Sequence, residues 1–155
     1  MRILAPILAG IFVSGMCFGQ VYGEWKMSGE RSVFSGEAPR SMSVQITPHP
    51  KGEVFTLETV TKDGRTISSS AVLYLDGSPR SVRDFECSGT QSSRRLDSQT
   101  IEILRTCAEG PSARWVRRIS PNANELVLEI REAPGDSAGR SRAIRRIVMV
   151  RQKEN

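Results

Sequence analysis

This sequence predicts a single all-β domain, a sandwich or a barrel of short strands, preceded by a secretory signal peptide. Three observations support this prediction. The chain begins with a short apolar segment, turn-forming residues recur along the rest of it, and short β-prone runs lie between those turns. The part of the chain after the signal has a length that suits one domain with a single core.

The beginning of the chain has the order typical of a secretory signal: a positive charge, an apolar run and then small residues. Ile3–Val13 is almost wholly apolar, and Cys17 and Gly19 are the small residues that precede a cleavage site. The apolar run has about 11 residues, well short of the roughly 20 that span a bilayer. We therefore assign residues 1–19 to the signal peptide and residues 20–155 to the folded domain.

A signal of this kind places the mature protein in the periplasm or outside the cell, with no integral membrane segment after cleavage. An uncleaved buried helix or membrane anchor is an alternative, and so is a lipoprotein attached through Cys17. The lipoprotein is disfavoured because Met16 stands where a small residue normally precedes the modified cysteine. Cleavage removes Arg2 and no acidic residue, so the formal net charge falls from +5 to +4.

Export also bears on the cysteines, because Cys17 leaves with the signal and Cys87 and Cys107 remain. Two cysteines in an exported chain commonly form a disulfide. A hairpin with a two-residue loop would pair Cys87 with Ala108, and a bulge or a slightly different loop would bring Cys107 opposite instead. We predict a structural disulfide between these two residues; two buried free thiols are the alternative.

Turn-forming sequences divide the mature chain into short segments, with Asp-Gly and Pro-Asn pairs that supply positive φ or fix φ near −65°. Alternation is clearest in ELVLEIRE, where Leu126, Leu128 and Ile130 share one face. Helical spacing is absent outside the signal. Residues 23–41 are the least regular part and are expected to cross one end of the barrel. The β-prone runs are SMSVQIT, EVFTLETVT, TISSSAVLYL, TIEILRTC, ARWVRRIS, ELVLEIRE and RAIRRIVMVR, and SGTQSSRRL is expected to fold back on TIEILRTC as a hairpin.

The tripeptide Gly23-Glu24-Trp25 lies before the first expected strand and resembles the G-x-W signature of the lipocalin-like, or calycin, barrels. This resemblance implies that residues 20–155 form an antiparallel up-and-down β-barrel of about eight strands, and we adopt this fold as our prediction. It also implies that Trp25 lies under the closed end of the barrel, beneath an arginine of the last strand, a position that Arg151 matches. The segments KMSGERSVFSGEAPRS and ISPNANELVLEI are also similar to a loosely defined group of secreted lipocalin-like bacterial proteins. The sequence lacks the threonine-aspartate-tyrosine motif of the lipocalins proper. The alternative for Trp25 is an ordinary core or surface aromatic residue.

Eighteen of the 22 basic residues are arginines, and several interrupt the alternation of the strands. Arg105 and Arg117 each share a face with apolar neighbours, and adjacent Arg145 and Arg146 must point to opposite faces. A buried guanidinium requires a carboxylate partner, water or an anionic ligand. We hypothesise that Arg105, Arg117 and one of Arg145 or Arg146, together with Trp115, line a cavity for an acidic, partly apolar ligand. We favour two simpler alternatives, bulges that return these arginines to solvent or pairing with acidic residues at the barrel rim.

The sequence offers little material for catalysis. His49 is the only histidine, lies between two prolines in an expected turn, and is predicted to be exposed. One histidine and two oxidised cysteines are poor metal ligands, and the sequence has no phosphate-binding loop or nucleophile elbow. Glu53, Glu58, Asp63 and Asp76 are expected to face water. We therefore predict no enzyme activity, no cofactor and no metal site.

Nucleic acid is not the expected partner, because export separates the protein from it and the basic residues are not interleaved with aromatic residues. The leading interpretation is an exported, non-catalytic binding protein for a small amphipathic or acidic ligand. The alternative is an exported protein–protein interaction module, such as an inhibitor or envelope component, with a filled barrel and no ligand. An internal cavity would favour the first interpretation, and a packed interior with an exposed apolar rim would favour the second.

Overall fold

The computed structural model describes residues 21–85, 87–133 and 144–153. These residues form eleven β-strands and one turn of 3-10 helix, Gly29–Arg31. The signal peptide predicted for residues 1–19 lies outside the described residues. The strands are β1 (Gly23–Met27), β2 (Val33–Phe34), β3 (Ser41–His49), β4 (Gly52–Val60), β5 (Thr66–Leu73), β6 (Arg80–Arg83), β7 (Ser88–Arg95), β8 (Thr100–Glu109), β9 (Ala113–Ile119), β10 (Glu125–Glu132) and β11 (Ile144–Arg151).

The strands form one antiparallel sheet in the order β5-β4-β3-β1-β11-β10-β9-β8-β7-β6, with β2 paired to β11 beside this path. Consecutive strands are neighbours from β3 to β5 and from β6 to β11, and β1 joins the two halves by pairing with both β3 and β11. This arrangement confirms the predicted all-β, antiparallel up-and-down barrel. The predicted strand number was too low, because the sheet has about ten strands around the barrel rather than eight.

The strands that the sequence did not predict are β1, β2 and β6. Trp25 was expected to precede the first strand, but it lies inside β1, where it pairs with Val44 of β3 and Arg151 of β11. β2 and β6 are only two and four residues long. Strands this short carry too few alternating positions to produce a recognisable pattern.

Within the described residues, no backbone ladder joins β5 to β6, and this gap is the seam of the barrel. The chain crosses it between Leu73 and Arg80, where a single bridge pairs Asp76 with Arg94. Each of the other adjacent pairs around the barrel is antiparallel and hydrogen-bonded. The barrel is therefore closed everywhere except at the seam.

Alternation along the strands places one apolar set of side chains inside the barrel. In β3 the buried positions are Met42, Val44 and Ile46, and in β10 they are Leu126, Leu128 and Ile130. The core cluster extends around the barrel and includes Trp25, Phe55, Leu73, Ile101, Ile103, Trp115, Ile119, Ile147 and Met149. A continuous apolar interior of this kind supplies most of the driving force for folding.

The predicted disulfide between Cys87 and Cys107 is present and joins the ends of β7 and β8, with a Cα–Cα distance of 5.3 Å. The register places Gly89, not Cys87, opposite Cys107 and shifts between Ser88 and Gly89, and the loop of the hairpin has four residues rather than two. A Cβ atom at Gly89 would lie 2.0 Å from the carbonyl oxygen of Thr106. Only glycine therefore permits the close approach of the two strands beside the disulfide.

Candidate functional site

Three strands each place an arginine on the interior face of the barrel: Arg105 on β8, Arg117 on β9 and Arg145 on β11. Arg105 and Arg117 are buried, and Arg145 is partly buried. Arg146, the neighbour of Arg145, is exposed on the outer face, as the period of two requires. The interior cations predicted from the broken alternation are therefore Arg105, Arg117 and Arg145, while Arg146 does not contribute to the interior.

Arg117 forms an ion pair with Glu53 in the middle of the barrel. The side chains of both residues are only 2% exposed, and the Arg117 Nη2 donates a hydrogen bond of 3.2 Å to Glu53 Oε2, alongside a second bond from Nη1 to Oε1. β4 and β9 are not neighbours in the sheet, so the pair spans the interior from one wall to the other. Its bidentate geometry satisfies two buried charges at once.

The position of Glu53 differs from the sequence prediction, which placed this residue in water. Glu53 is 1% exposed because it has the same strand parity as Phe55 and Leu57, both of which point inward. The alternation in EVFTLET already contained this signal. The presence of Arg117 on the opposite wall makes the burial of a carboxylate possible.

Arg105 pairs with Asp84, which follows β6, and its guanidinium carbon lies 5.3 Å from the ring centroid of Trp115. This arrangement combines an ion pair with a cation–π contact on a buried indole. Together with the Arg117 pair, it fills the interior near β8 and β9. Of the two simpler alternatives, return to solvent is wrong for Arg105 and Arg117, which are buried. Both arginines pair with carboxylates, but Arg117 does so in the middle of the barrel and not at its rim. Neither of them lines the cavity that contains Trp115 and Arg145.

Arg145 lies at the end of the barrel beside Glu132, whose Oε1 accepts a 2.8 Å hydrogen bond from Arg145 Nη2. The strand register places Trp115, Ile130 and Arg145 in one row across β9, β10 and β11. Phe34 of β2 pairs with Arg145 and extends the row. An aromatic residue, an aliphatic residue and a cation thus lie side by side on this wall.

A cavity of about 240 Å³ opens at this end of the barrel, and we name it the end cavity. Its opposite wall, from β3 to β5, is mainly apolar and includes Met42, Leu57 and Ile67. The full lining is Phe34, Glu37, Ala38, Pro39, Met42, Leu57, Thr59, Thr61, Lys62, Ile67, Trp115, Ile130 and Arg145. An apolar wall that faces a cationic wall is the arrangement expected for an amphipathic ligand with an acceptor group.

Two hydrogen-bond donors in the wall of the end cavity are buried and lack a partner among the described residues. They are the indole nitrogen Nε1 of Trp115, whose residue is 6% exposed, and the Nε of Arg145. A buried donor without an acceptor costs about 1–3 kcal/mol. Since neither atom is exposed to solvent, a ligand would reach them through a small movement of the side chains that cover them. The site therefore has unmet capacity to bind an acceptor.

A second cavity, of about 300 Å³, lies along the seam and is lined by residues of β5, β6 and β7. Its lining is mostly polar, and Arg80 is held there by Asp76 and by the ring of Tyr74, with its guanidinium carbon 3.8 Å from the ring centroid. The hydrogen bonds from Arg80 and from the Ser78 backbone lower the pKa of the exposed Asp76 carboxyl. These contacts hold together the segment between β5 and β6 that crosses the seam.

The opposite end of the barrel is closed by Trp25, which is fully buried. The guanidinium carbon of Arg151 lies 4.3 Å from the centroid of the Trp25 ring, and the indole Nε1 donates a 3.1 Å hydrogen bond to the Val21 carbonyl. Arg151 also donates to the carbonyls of Tyr22 and Ala123, both at 2.7 Å. These contacts tie the N-terminal segment to the last strand.

Gly23 contributes to this closed end through its backbone. Its φ of +129° is a conformation that residues with a side chain rarely adopt, and a Cβ atom there would lie 3.1 Å from Arg151 Nη1. Gly23, Trp25 and Arg151 therefore form one contact group at the end of the barrel away from Arg145. The distance along β11 from Arg145 to Arg151 is about 20 Å at roughly 3.3 Å per residue.

The remaining candidates for catalysis, metal binding and membrane insertion lie outside the two cavities. The prediction that His49 is exposed in a turn was wrong: it ends β3 and is partly buried, with its ring centroid 6.0 Å from that of Tyr74. Its Nδ1 accepts a hydrogen bond from the Lys51 backbone. Within residues 21–85, 87–133 and 144–153, no group of three or more His, Cys, Asp or Glu side chains is arranged to hold a metal ion. The same residues include no helix with the length and apolarity needed to cross a membrane.

No protein-family model matches this chain, and a comparison with curated protein sequences finds no match. Solved structures of similar shape include the following two. A fatty acid binding protein of Schistosoma mansoni, in complex with arachidonic acid, has a TM-score of 0.49 and 12% identity, over 88% of this chain and 98% of that chain. A zebrafish ileal bile acid-binding protein, complexed with cholic acid, has a TM-score of 0.49 and 10% identity, over 86% of this chain and 99% of that one.

Proposed function

We propose that this protein is a non-catalytic binding protein for a small amphipathic molecule with an acidic head group, and that the end cavity is its binding site. The observation that carries the proposal is the division of this cavity into two walls. Arg145 and Trp115 supply cationic and neutral donors on one side, and Met42, Leu57 and Ile67 supply apolar surface on the other. A carboxylate would accept from the donors while its alkyl group packs on the apolar wall.

The experiment is a titration of the mature protein with sodium hexanoate, followed by ¹⁵N–¹H correlation NMR. The expected result is a saturable shift of the Trp115 indole N–H signal, because this donor gains an acceptor. The Trp25 indole signal should not move, since its hydrogen bond to Val21 lies at the other end of the barrel. Loss of one signal in Trp115→Phe assigns the two indoles.

Arg145→Met and Arg146→Met form a matched pair for this titration. Both changes remove one arginine from adjacent positions of β11, but only Arg145 lines the end cavity, while Arg146 is exposed. We expect Arg145→Met to weaken hexanoate binding by about tenfold or more, the usual value of a charge-assisted hydrogen bond, and Arg146→Met to leave it unchanged. Equal affinities for the two variants would refute the assignment of Arg145 to the head group.

We also propose that the protein is exported and acts in the periplasm or outside the cell. The support is the apolar N-terminal segment together with the disulfide, since disulfides persist in oxidising compartments. Intact mass measurement of protein from the exported fraction tests this. The expected product begins at Gln20 and has lost two hydrogens to the Cys87–Cys107 bond. A cytoplasmic, full-length product would refute it.

The second candidate function is a protein–protein interaction module. It is favoured by the ion pairs that fill the middle of the barrel and by Phe85, which is 73% exposed beside the seam. If hexanoate and related anions leave both indole signals unmoved, this candidate replaces the first. Cross-linking of the exported protein in its own cell envelope would then identify the partner.

A further inference from the structure

We infer that the Glu53–Arg117 pair sets the maximum length of ligand that the end cavity accepts, and that the ligand is therefore a short-chain carboxylate. This inference rests on the proposed function. The relevant observation is that a charged pair, rather than apolar side chains, crosses the barrel directly beneath the cavity. The pair limits how far a ligand can enter the barrel from the open end.

The strand register shows how close the pair lies to the cavity. Trp115 lines the cavity on β9, and the next inward residue of that strand is Arg117. Leu57 lines it on β4, and the next two inward residues are Phe55 and Glu53. Two residues of a strand advance by about 6.6 Å at roughly 3.3 Å per residue, so Arg117 lies in the layer directly below the cavity wall.

The layer under the cavity is fully packed. It consists of Phe55, Arg117 and Leu128, which we name the cavity floor; Leu128 pairs with Arg117 in the register of β9 and β10. The three residues are between 0% and 5% exposed. Arg117 cannot turn away from this layer without separating from Glu53, which would leave two buried charges without partners. The floor is therefore held in place by electrostatics as well as by packing.

The volume above the floor is small for a ligand site. The end cavity has about 240 Å³, whereas sites for drug-sized molecules span roughly 300–1,000 Å³. A carboxylate bound at Arg145 and Trp115 has its alkyl group directed toward Met42, Leu57 and Ile67 across the same end of the barrel. A longer chain must either leave through the mouth or displace the floor, and neither adds buried apolar contact.

The test measures the association constants of hexanoate, octanoate, dodecanoate and hexadecanoate by isothermal titration calorimetry below their micelle concentrations. In the unaltered protein, affinity should rise over the first members of the series and then stop rising. In Glu53→Ala/Arg117→Ala, the floor is lowered without leaving a lone charge. The ratio of the dodecanoate to the hexanoate constant should then increase by about tenfold or more, the value of two further buried methylenes.

The matched control is Glu53→Leu/Arg117→Met, which removes the same two charges but keeps most of the side-chain bulk. Its ratio of the dodecanoate to the hexanoate constant should stay close to that of the unaltered protein. The comparison of the two double variants therefore distinguishes the effect of side-chain volume from the effect of charge. Circular dichroism and thermal unfolding establish that each variant is folded. If both double variants are folded and share the unaltered ratio, the inference is wrong and the proposed function stands.

The unaltered protein alone also tests the inference, whatever the folding of the variants. A continuous rise in affinity through hexadecanoate, at about fourfold for each methylene, would show that the interior accepts the whole chain and would overturn the length limit. Failure of every member of the series to bind would instead refute the proposed function. The two failures are therefore distinguishable in one data set.

Discussion

Glu53 of β4 and Arg117 of β9 meet inside the barrel, although their strands lie on opposite walls and the residues are 64 positions apart in the chain. The pair replaces what would otherwise be apolar contact between the two walls. Its contribution to stability depends on both partners, because each charge is tolerated only in the presence of the other. Mutation of one partner and mutation of both should therefore have very different effects.

We expect Glu53→Leu alone or Arg117→Met alone to lower the free energy of unfolding by about 3–5 kcal/mol, because each leaves a buried charge without its partner. The double variant Glu53→Leu/Arg117→Met should lie within about 1–2 kcal/mol of the unaltered protein. Urea unfolding of all four proteins measures this cycle. Additive losses in the double variant would show that the two residues act independently.

Replacement of Arg151 by Met should destabilise the closed end of the barrel. The change removes the contact over Trp25 and the two hydrogen bonds to the carbonyls of Tyr22 and Ala123. We expect a loss of about 2–4 kcal/mol and a red-shifted emission from Trp25 as water reaches the ring. Trp115→Phe serves as the background for the fluorescence, since it leaves Trp25 as the only indole. Unchanged emission and stability would contradict this account of Arg151.

The disulfide should stabilise the protein chiefly by restricting its unfolded state. Cys87 and Cys107 are separated by 20 positions, for which chain entropy gives a stabilisation of about 3 kcal/mol. Cys87→Ala/Cys107→Ala should lose about this amount in urea unfolding, and the unaltered protein should lose a similar amount in reductant. Addition of reductant to the double variant is the control. A further loss there would point to an effect other than the disulfide.

The stabilisation that the charged Glu102 carboxylate provides should be lost in acid. Burial raises the pKa of its carboxyl, but hydrogen bonds from Arg114 and Arg94 outweigh burial and hold the pKa below its ordinary value of 4.5. Because the pKa is lower in the folded state, the stabilisation is present above the unfolded value and is lost as the pH falls through the folded one. The difference in stability between the unaltered protein and Glu102→Gln should therefore shrink between about pH 5 and pH 3.

At neutral pH we expect Glu102→Gln to cost about 1–2 kcal/mol, since both arginines keep part of their exposure to water. Thermal unfolding at several pH values measures the trend. Glu109→Gln, at an exposed position of the same strand, is the control for the loss of one negative charge. A constant difference from pH 7 to pH 3 would mean that the Glu102 carboxyl is not stabilised in its charged form.

The sequence predicted most of the barrel because its strands carry local information. All seven β-prone runs and the hairpin segment SGTQSSRRL correspond to strands, and the turns between them contain residues with defined backbone preferences. The runs that were missed were short or, for β1, were interpreted as a motif before a strand. In β1 the ladder with β3 and β11 decides the conformation, and those strands are distant in the chain.

The sequence predicted some residues of the candidate site and missed others, and the difference has a physical cause. Alternation supplied the hypothesis that Arg105, Arg117 and Trp115 point inward, because direction within a strand is a local property, although we favoured the simpler alternatives for the arginines. It did not identify Glu53 as the partner of Arg117, since contacts across a barrel depend on how the sheet closes. The end cavity likewise depends on β2 and the segment after it, neither of which has a pattern that marks it in the sequence.

The ladder between β1 and β11 has a consequence for the order in which the protein can fold. The hairpins from β3 to β5 and from β6 to β11 join neighbouring parts of the chain and can form early, while β1 must wait for the final strand. During synthesis, Trp25 therefore emerges long before Arg151 exists to cover it. A chain that stops before residue 144 would present β1 and β10 as open edges, the surfaces on which proteases and aggregation act. Completion of the barrel is thus tied to completion of the chain.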